Sequence, residues 1–238
     1  MSGSLVLLVL ILVSAIPVIA VYIWYRLAKY QFSLIWFLFA LLAGAAAFFP
    51  ALFLQNLLNF SISSGGRLNL FYQFFIRIAS TEEVSRLLML FIFFFFSGRI
   101  EKEKTRTFGT EQFPSWEKIR RGAAGGLVAG LGFALLETAA YGASNAGVLL
   151  LRAFTAAPLH AACGSRVGAA AIMFRSNPFQ SFMRLLTAIA IHGIYNFMAV
   201  LSGFPSFMAV LIALSAVASS ILTIRSNWSS EDAPPSAP

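Results

Sequence analysis

The chain alternates long apolar runs with short polar connections, and most of these runs are long enough to cross a bilayer. A transmembrane helix needs about 20 predominantly apolar residues. The pattern predicts seven spans, over residues 4–25, 33–59, 69–97, 120–142, 147–174, 180–202 and 205–224. The predicted fold class is therefore all-α: a polytopic membrane protein with about seven transmembrane helices.

The seven spans are predicted to form one transmembrane domain over residues 1–225, followed by a polar, proline-rich tail over 226–238. Such a composition favours a disordered tail. The charge-rich stretch 98–119 is predicted to be a solvated connector. The N-terminal apolar run is of full span length and no basic segment precedes it, which indicates a retained helix rather than a cleaved signal peptide.

Lysine and arginine are concentrated in alternate connections, and this bias predicts the orientation. The connection 98–119 and the residues flanking the first, fifth and seventh spans are basic, whereas the intervening connections carry only Arg67. Basic connections stay in the cytoplasm. The N-terminus is therefore predicted outside and the C-terminus in the cytoplasm.

Composition agrees with a bilayer environment. Of 238 residues, 59% are hydrophobic and 11% are charged, which is too apolar for a soluble domain. The net charge of +8 is explained by the basic connections, so the lipid bilayer rather than a nucleic acid is the expected partner. A single cysteine, Cys163, permits no intrachain disulfide.

Three charged residues, Glu82, Glu83 and Arg86, lie close together within the third span. Charge within a hydrocarbon-length segment is costly and usually marks function. On a helix either glutamate can reach Arg86, at a spacing of three or four residues. One carboxylate would then remain available for chemistry. A buried ion pair that only locks two helices together is the alternative.

Ionisable or strongly polar groups also lie within three later spans. They are Glu137 on the fourth, Arg152 and His160 on the fifth, and His192 with Asn196 on the sixth. A rise of about 1.5 Å per residue puts Glu82, Glu137, His160 and His192 roughly 18–25 Å from the cytoplasmic helix ends. This common depth predicts a single site, although each residue alone could be a hydrogen-bonded packing residue.

Two mechanisms suit these residue types. A carboxylate in a low-dielectric pocket can act as a general base towards water, while His and Asn donate to an oxyanion. Alternatively, His160, His192 and a glutamate could bind zinc, although no His-Glu-x-x-His spacing is present. Cys163 as a nucleophile near His160 is a weaker option than Cys163 as a packing residue. A proton or ion relay is the competing function class, but no internal repeat supports it.

The fourth span carries Gly122, Gly126 and Gly130 at four-residue spacing. Small residues at this spacing let two helices approach closely. They are predicted to bring a neighbouring helix against the fourth span.

Taken together, the polar motifs over 82–196 resemble those of the PrsW branch of glutamic-type intramembrane proteases. This branch is related to the CAAX prenyl endopeptidases and to the bacterial CAAX-protease and bacteriocin-processing family. The matching motifs, in the family's order, are Glu82-Glu83-Val-Ser-Arg86, Gly132-Phe133-Ala-Leu-Leu-Glu137 extended through Tyr141, His160, and His192-Gly-Ile-Tyr-Asn196. Arg86 stands where PrsW proteins usually have lysine.

The resemblance implies an intramembrane endopeptidase of a bacterial cytoplasmic membrane, with a membrane protein or peptide as substrate, such as an anti-sigma factor. It implies that Glu82 activates water, that Glu83 pairs with Arg86, and that His192 and Asn196 bind the oxyanion. His160 or Glu137 would assist Glu82, and no cofactor or metal is expected. A non-catalytic relative with the same fold is the alternative, and the oligomeric state is not specified.

Overall fold

A computed structural model describes residues 3–28, 30, 32–59, 66–108, 115–142 and 151–225. The helices are α1 (Gly3–Leu27), α2 (Leu34–Leu57), α3 (Arg67–Phe71), a π-helix (Tyr72–Ser80), α4 (Thr81–Phe108), α5 (Ser115–Gly142), α6 (Ala156–Met173), α7 (Pro178–Ala199) and α8 (Phe204–Arg225). No strand occurs in these ranges, so the all-α prediction is confirmed. The predicted disordered tail 226–238 lies outside the described residues.

Four of the described helices are long and apolar enough to cross a membrane, over Leu34–Leu57, Glu117–Ala140, Pro178–Ala199 and Phe204–Arg225. Within α1, the residues Leu12–Leu27 form a shorter apolar helical stretch. Helices α4 and α6 are not among the four, and both carry charged residues within their apolar stretches. The structure supports an integral membrane protein, and the count of seven spans stays a prediction.

Two helix boundaries differ from the sequence prediction. Helix α4 continues to Phe108, beyond the predicted end of the third span, because the following Glu and Lys residues are good helix formers. Helix α6 begins at Ala156 rather than near residue 147; residues 151–154 before it are also helical and are separated from it by Thr155. Pro158 then falls in the first turn of α6, where its missing N–H breaks no hydrogen bond.

Glycines hold α5 and α6 in backbone contact. A Cβ atom added at Gly126 would lie 2.0 Å from the carbonyl oxygen of Gly164, and one at Gly130 would lie 2.0 Å from that of His160. Gly132 meets the backbone of Leu41 on α2 in the same way. Only glycine permits approaches this close, so this stripe places the His160 turn of α6 directly against α5.

Tyrosine side chains join the helix ends at one end of the molecule. The hydroxyl of Tyr25 donates to the carbonyl of Ala124 at 3.0 Å, and that of Tyr30 donates to the carbonyl of Ile224 at 3.1 Å. The guanidinium of Arg120 lies over the Tyr30 ring, 5.5 Å from its centroid. The α1–α2 connection, the start of α5 and the end of α8 therefore share one end, opposite the start of α4.

Candidate active site

Glu83 is bound on both carboxylate oxygens. Its Oε2 pairs with Nη1 of Arg86 one turn later, and its Oε1 lies 2.7 Å from Nδ1 of His192 on α7. Glu83 and Arg86 are completely buried. A buried charge is tolerated when it is paired and hydrogen-bonded, so this trio forms a compensated unit that joins α4 to α7.

Glu82, the preceding residue, has a different environment. It is only 3% exposed, and its Oε1 accepts a hydrogen bond from Nε2 of Gln55 on α2 at 3.0 Å. Its Oε2 makes no hydrogen bond within the part of the chain that the structure describes. That oxygen lies 3.7 Å from Nε2 of His192. Glu82 therefore presents one buried, uncommitted oxygen beside an imidazole nitrogen.

The partners of His160 determine its tautomer. Its Nδ1 lies 3.2 Å from Nη2 of Arg86, and its Nε2 lies 2.6 Å from Oε2 of Glu137. A guanidinium only donates hydrogen bonds, so Nδ1 must accept and the proton resides on Nε2. His160 thus donates to Glu137 and links α5, α6 and α4 through one ring.

Glu137 and Phe133 lie one turn apart on α5 and both face this cluster. Glu137 Oε2 also pairs with Nη2 of Arg152 at 2.6 Å, so it bridges a cation and an imidazole. The Arg86 guanidinium lies over the Phe133 ring, 4.6 Å from its centroid. The Phe-x-x-x-Glu spacing therefore gives α5 one side chain that contacts Arg86 and another that holds His160.

His192 is oriented by its bond to Glu83. Glu83 is paired with Arg86 and acts as an acceptor, so Nδ1 of His192 carries the proton. The neutral ring then offers Nε2 as an acceptor towards Glu82. The His160 and His192 rings meet edge to face with centroids 4.9 Å apart.

The structure thus brings six of the seven candidates from the sequence into one buried cluster, namely Glu82, Glu83, Arg86, Glu137, His160 and His192. Asn196 lies on α7 one turn after His192 and is half-buried, and its side chain makes no hydrogen bond with the described residues. Its amide therefore does not belong to this hydrogen-bond network. Cys163 is buried, and its Sγ contacts the carbonyl of Ala188 at 3.6 Å, as a packing cysteine would.

Two residues near the cluster were not predicted from the sequence: Gln55, which contacts Glu82 directly, and Arg77, which contacts Gln55. The available signals were amide side chains near the end of the predicted second span and a second arginine, besides Arg86, inside the third, because polar side chains in apolar segments seldom lack a partner. The π-helix that carries Arg77 has no comparable signature in the sequence. π-Helical turns often occur at functional sites.

One group of side chains has the composition of a zinc site. Ligand atoms of Glu82, His160 and His192 all lie within 4.8 Å of one another, and two histidines with one glutamate are a known catalytic zinc set. His192 fits well, since its Nδ1 is held by a carboxylate and its Nε2 faces Glu82. His160 would have to exchange its contact with Arg86 or Glu137 for the metal. The residue types and their proximity fit zinc.

Comparison with known proteins identifies a family. A family model described as "PrsW family intramembrane metalloprotease" matches residues 33–221, which include the whole cluster. No curated protein and no solved structure gave a significant match.

Proposed function

Because the chain belongs to the PrsW family of intramembrane proteases, we propose that it is an endopeptidase that hydrolyses a peptide bond of a membrane-associated substrate. In this proposal Glu82 is the general base. The observation that carries it is the uncommitted Oε2 of Glu82, buried beside Nε2 of His192 and without a hydrogen-bond partner among the described residues.

Two acceptors 3.7 Å apart suit one water molecule that donates a hydrogen bond to each. The water oxygen attacks the carbonyl carbon while Glu82 takes one of its protons. The tetrahedral intermediate carries the negative charge on the former carbonyl oxygen. As the C–N bond breaks, Glu82 returns the proton to the departing amine, so no protein nucleophile is required.

Asn196 is the proposed donor to that oxyanion, because its amide lies one turn from His192 and has no partner among the described residues. The resemblance also assigned His192 to the oxyanion. Nδ1 of His192 keeps its proton and donates it in a hydrogen bond to Glu83, so the neutral ring has no proton on Nε2 to donate to the oxyanion. We therefore assign His192 to orienting the water.

The remaining residues hold these groups in place. Arg86 compensates Glu83, and Glu83 sets the tautomer of His192. Glu137 holds His160, whose Nδ1 in turn accepts a hydrogen bond from Arg86. Such supporting contacts maintain catalytic geometry within the small tolerance that chemistry requires.

A single-pass membrane protein is the proposed substrate class, an anti-sigma factor being one example that the resemblance suggests. To test this, the membrane proteomes of cells producing wild-type protein, Glu82→Gln or Val84→Ala are compared. Val84 is the next-but-one residue to Glu82 and is 43% exposed, which makes its variant a matched control. We expect one membrane protein to be shortened in cells that produce the wild type or Val84→Ala and to keep its full length in cells that produce Glu82→Gln.

The purified protein in liposomes should then cleave that substrate. If wild-type and Glu82→Gln proteomes are identical, the endopeptidase proposal fails. Binding without cleavage would indicate a non-catalytic relative, and solute uptake by the proteoliposomes would indicate a transporter.

Zinc-dependent hydrolysis is the second candidate, favoured by the Glu82, His160 and His192 group and by the family description. Zinc held by these residues would polarise water and the scissile carbonyl. A strong chelator separates the candidates. Activity that survives chelation supports Glu82 as the base. The zinc mechanism is supported if the activity is lost on chelation and recovers when Zn²⁺ is added, and if mass spectrometry finds bound zinc in the wild type but not in His160→Ala. Glu82 would then be a zinc ligand.

A further inference from the structure

Glu82 accepts a hydrogen bond from outside α4, and its donor is Gln55 in the last turn of α2. The amide Nε2 of Gln55 donates to Oε1 of Glu82 at 3.0 Å, across 27 residues of sequence. The other oxygen of Glu82 faces His192. The two oxygens of one carboxylate are therefore distinguished by this single hydrogen bond.

Gln55 is itself held through its backbone. Its carbonyl oxygen is among the last four of α2, which have no partner within the helix. It accepts a hydrogen bond from Nε of Arg77 at 3.0 Å, and Nη1 of Arg77 donates to Oε1 of Gln73 at 2.8 Å. A cation at the carboxyl end of a helix is also favourable to the helix dipole. Arg77 thus fixes the turn of α2 from which Gln55 reaches Glu82.

The π-helix accounts for the position of Arg77. Its hydrogen bonds join residues five apart, and the side chains of one such pair, Tyr72 and Arg77, both reach the carboxyl end of α2. The hydroxyl of Tyr72 donates to the carbonyl of Leu58 at 3.1 Å, which closes the same end of α2. Helix α4 begins at Thr81, directly before Glu82, so the π-helix sets both Arg77 and the first turn of the site.

We propose that Gln55 and Arg77 are positioning residues that hold the Glu82 carboxylate in one orientation and so reserve Oε2 for the reacting water. Rotation about the last side-chain torsion of glutamate is broad, so a carboxylate held on neither oxygen samples many orientations. The amide of Gln55 removes that freedom. This inference rests on the proposed function for its catalytic consequence, and its geometric part can be tested separately.

The hydrogen bond could instead serve only to tie α2 to α4. A tie of that kind changes stability and leaves the chemical step of the folded protein unchanged. A positioning role lowers kcat at unchanged KM, because Gln55 contacts Glu82 rather than the substrate. The two roles therefore differ in kinetics.

Gln55→Met keeps the length of the side chain and removes the donor. We expect kcat for the substrate identified above to fall about 10- to 100-fold with KM unchanged. Asn56→Leu, an equally conservative loss of an amide on the exposed neighbouring position, should leave both constants unchanged. Gln55→Met with wild-type kcat would overturn the inference.

Arg77 supplies a second test should Gln55→Met fold poorly. Arg77→Lys retains a donor for the Gln55 carbonyl and should keep most of the wild-type kcat. Arg77→Met should lower kcat as Gln55→Met does. Equal kcat values for the two Arg77 variants would show that Arg77 does not position Gln55 for catalysis.

Thermal stability tests the geometry without any activity. Gln55→Met should lower Tm in the wild-type background, because Oε1 of buried Glu82 loses its partner. The same change in a Glu82→Ala background should leave Tm where Glu82→Ala alone puts it. Additive Tm shifts would overturn the positioning role. If the Tm shifts are coupled but the protein cleaves no substrate, the Gln55–Glu82 contact is supported and the endopeptidase proposal is rejected.

Discussion

Glu82 and Glu83 are adjacent in sequence, yet they project about 100° apart around α4 and so meet different partners. Glu83 contacts Arg86 and His192, whereas Glu82 contacts Gln55 with one oxygen and leaves the other uncommitted. The contacts of each glutamate indicate its role. Glu83 belongs to the compensated ion pair, whereas Glu82 has one carboxylate oxygen without a hydrogen-bond partner among the described residues, which suits the proposed role of general base.

Glu82→Gln tests this division of roles. The change keeps the shape of the side chain and removes the base, so cleavage should be abolished. The melting temperature should equal or exceed that of the wild type, because a desolvated carboxylate is costly to keep. Cleavage by a Glu82→Gln protein, measured with purified protein in liposomes, would contradict the assignment.

Glu83→Gln should impair cleavage with a loss of stability, because Arg86 is then a buried charge without its counter-ion. Breaking such a pair typically costs roughly 3–5 kcal/mol. Combining Glu83→Gln with Arg86→Gln should recover part of the lost melting temperature. If instead Glu82→Gln unfolds while Glu83→Gln stays stable and inactive, the two roles are exchanged.

Asn196→Ala should slow cleavage about 10²- to 10³-fold, as expected for one oxyanion donor. Its melting temperature should match the wild type, since Asn196 is half-buried and makes no hydrogen bond with the described residues. Steady-state kinetics and thermal unfolding of the same preparation check both parts. If Asn196→Ala cleaves the substrate at the wild-type rate, Asn196 has only a packing role.

At the scale of elements, the site depends on how closely α6 lies against α5. The carbonyl of His160 itself contacts Gly130, so the backbone that carries the imidazole cannot move away without opening the interface. The break at Thr155 lets α6 begin at Ala156, and the hydroxyl of Tyr195 on α7 donates to Thr155 Oγ1 at 2.9 Å. The start of α6 is thus held by both neighbours.

Gly130→Ala should push α6 away from α5, because the added Cβ would lie 2.0 Å from the His160 carbonyl oxygen. We expect a loss of roughly 1–3 kcal/mol in unfolding free energy and a fall in activity. Gly125→Ala is the control, since the three atoms nearest to its added Cβ, at 3.0–3.2 Å, belong to the side chains of Trp36 and Phe94 rather than to backbone. Equal melting temperatures for the two variants would show that the close Gly130–His160 backbone contact does not contribute to stability.

For the whole molecule, membrane orientation is the main testable property. Tyr25 and Tyr30 tie the α1–α2 connection to the start of α5 and the end of α8, so these segments should lie on one side of the membrane. The distribution of basic residues predicts that this side is the cytoplasm.

Reporter fusions at residue 30, within 98–119 and after residue 226 should all report from the cytoplasm, and a fusion at the N-terminus should report from outside. Fusions to a phosphatase and to a fluorescent protein at each position provide opposite signals. A C-terminal fusion that reports from the outside would break the seven-span count.

Much of the fold followed from local properties of the sequence. Hydropathy and charge are set by consecutive residues, and they sufficed for the all-α class and for the polar residues in the spans. Boundaries such as the start of α6 depended on Pro158 and on neighbouring helices. The π-helix was missed because nothing in Tyr72–Ser80 distinguishes it from an α-helical segment by pattern alone.

The sequence by itself determined the candidate residues for the site: two glutamates and an arginine on one helix, and a further glutamate, two histidines and an asparagine on three others. Only the tertiary structure decided which of them touch. The Glu82–Gln55 and Glu83–His192 contacts join positions 27 and 109 residues apart, and helical spacing says nothing about such distances. Packing between helices set them, because glycine stripes and helix ends determine which turn of one helix faces which turn of the next.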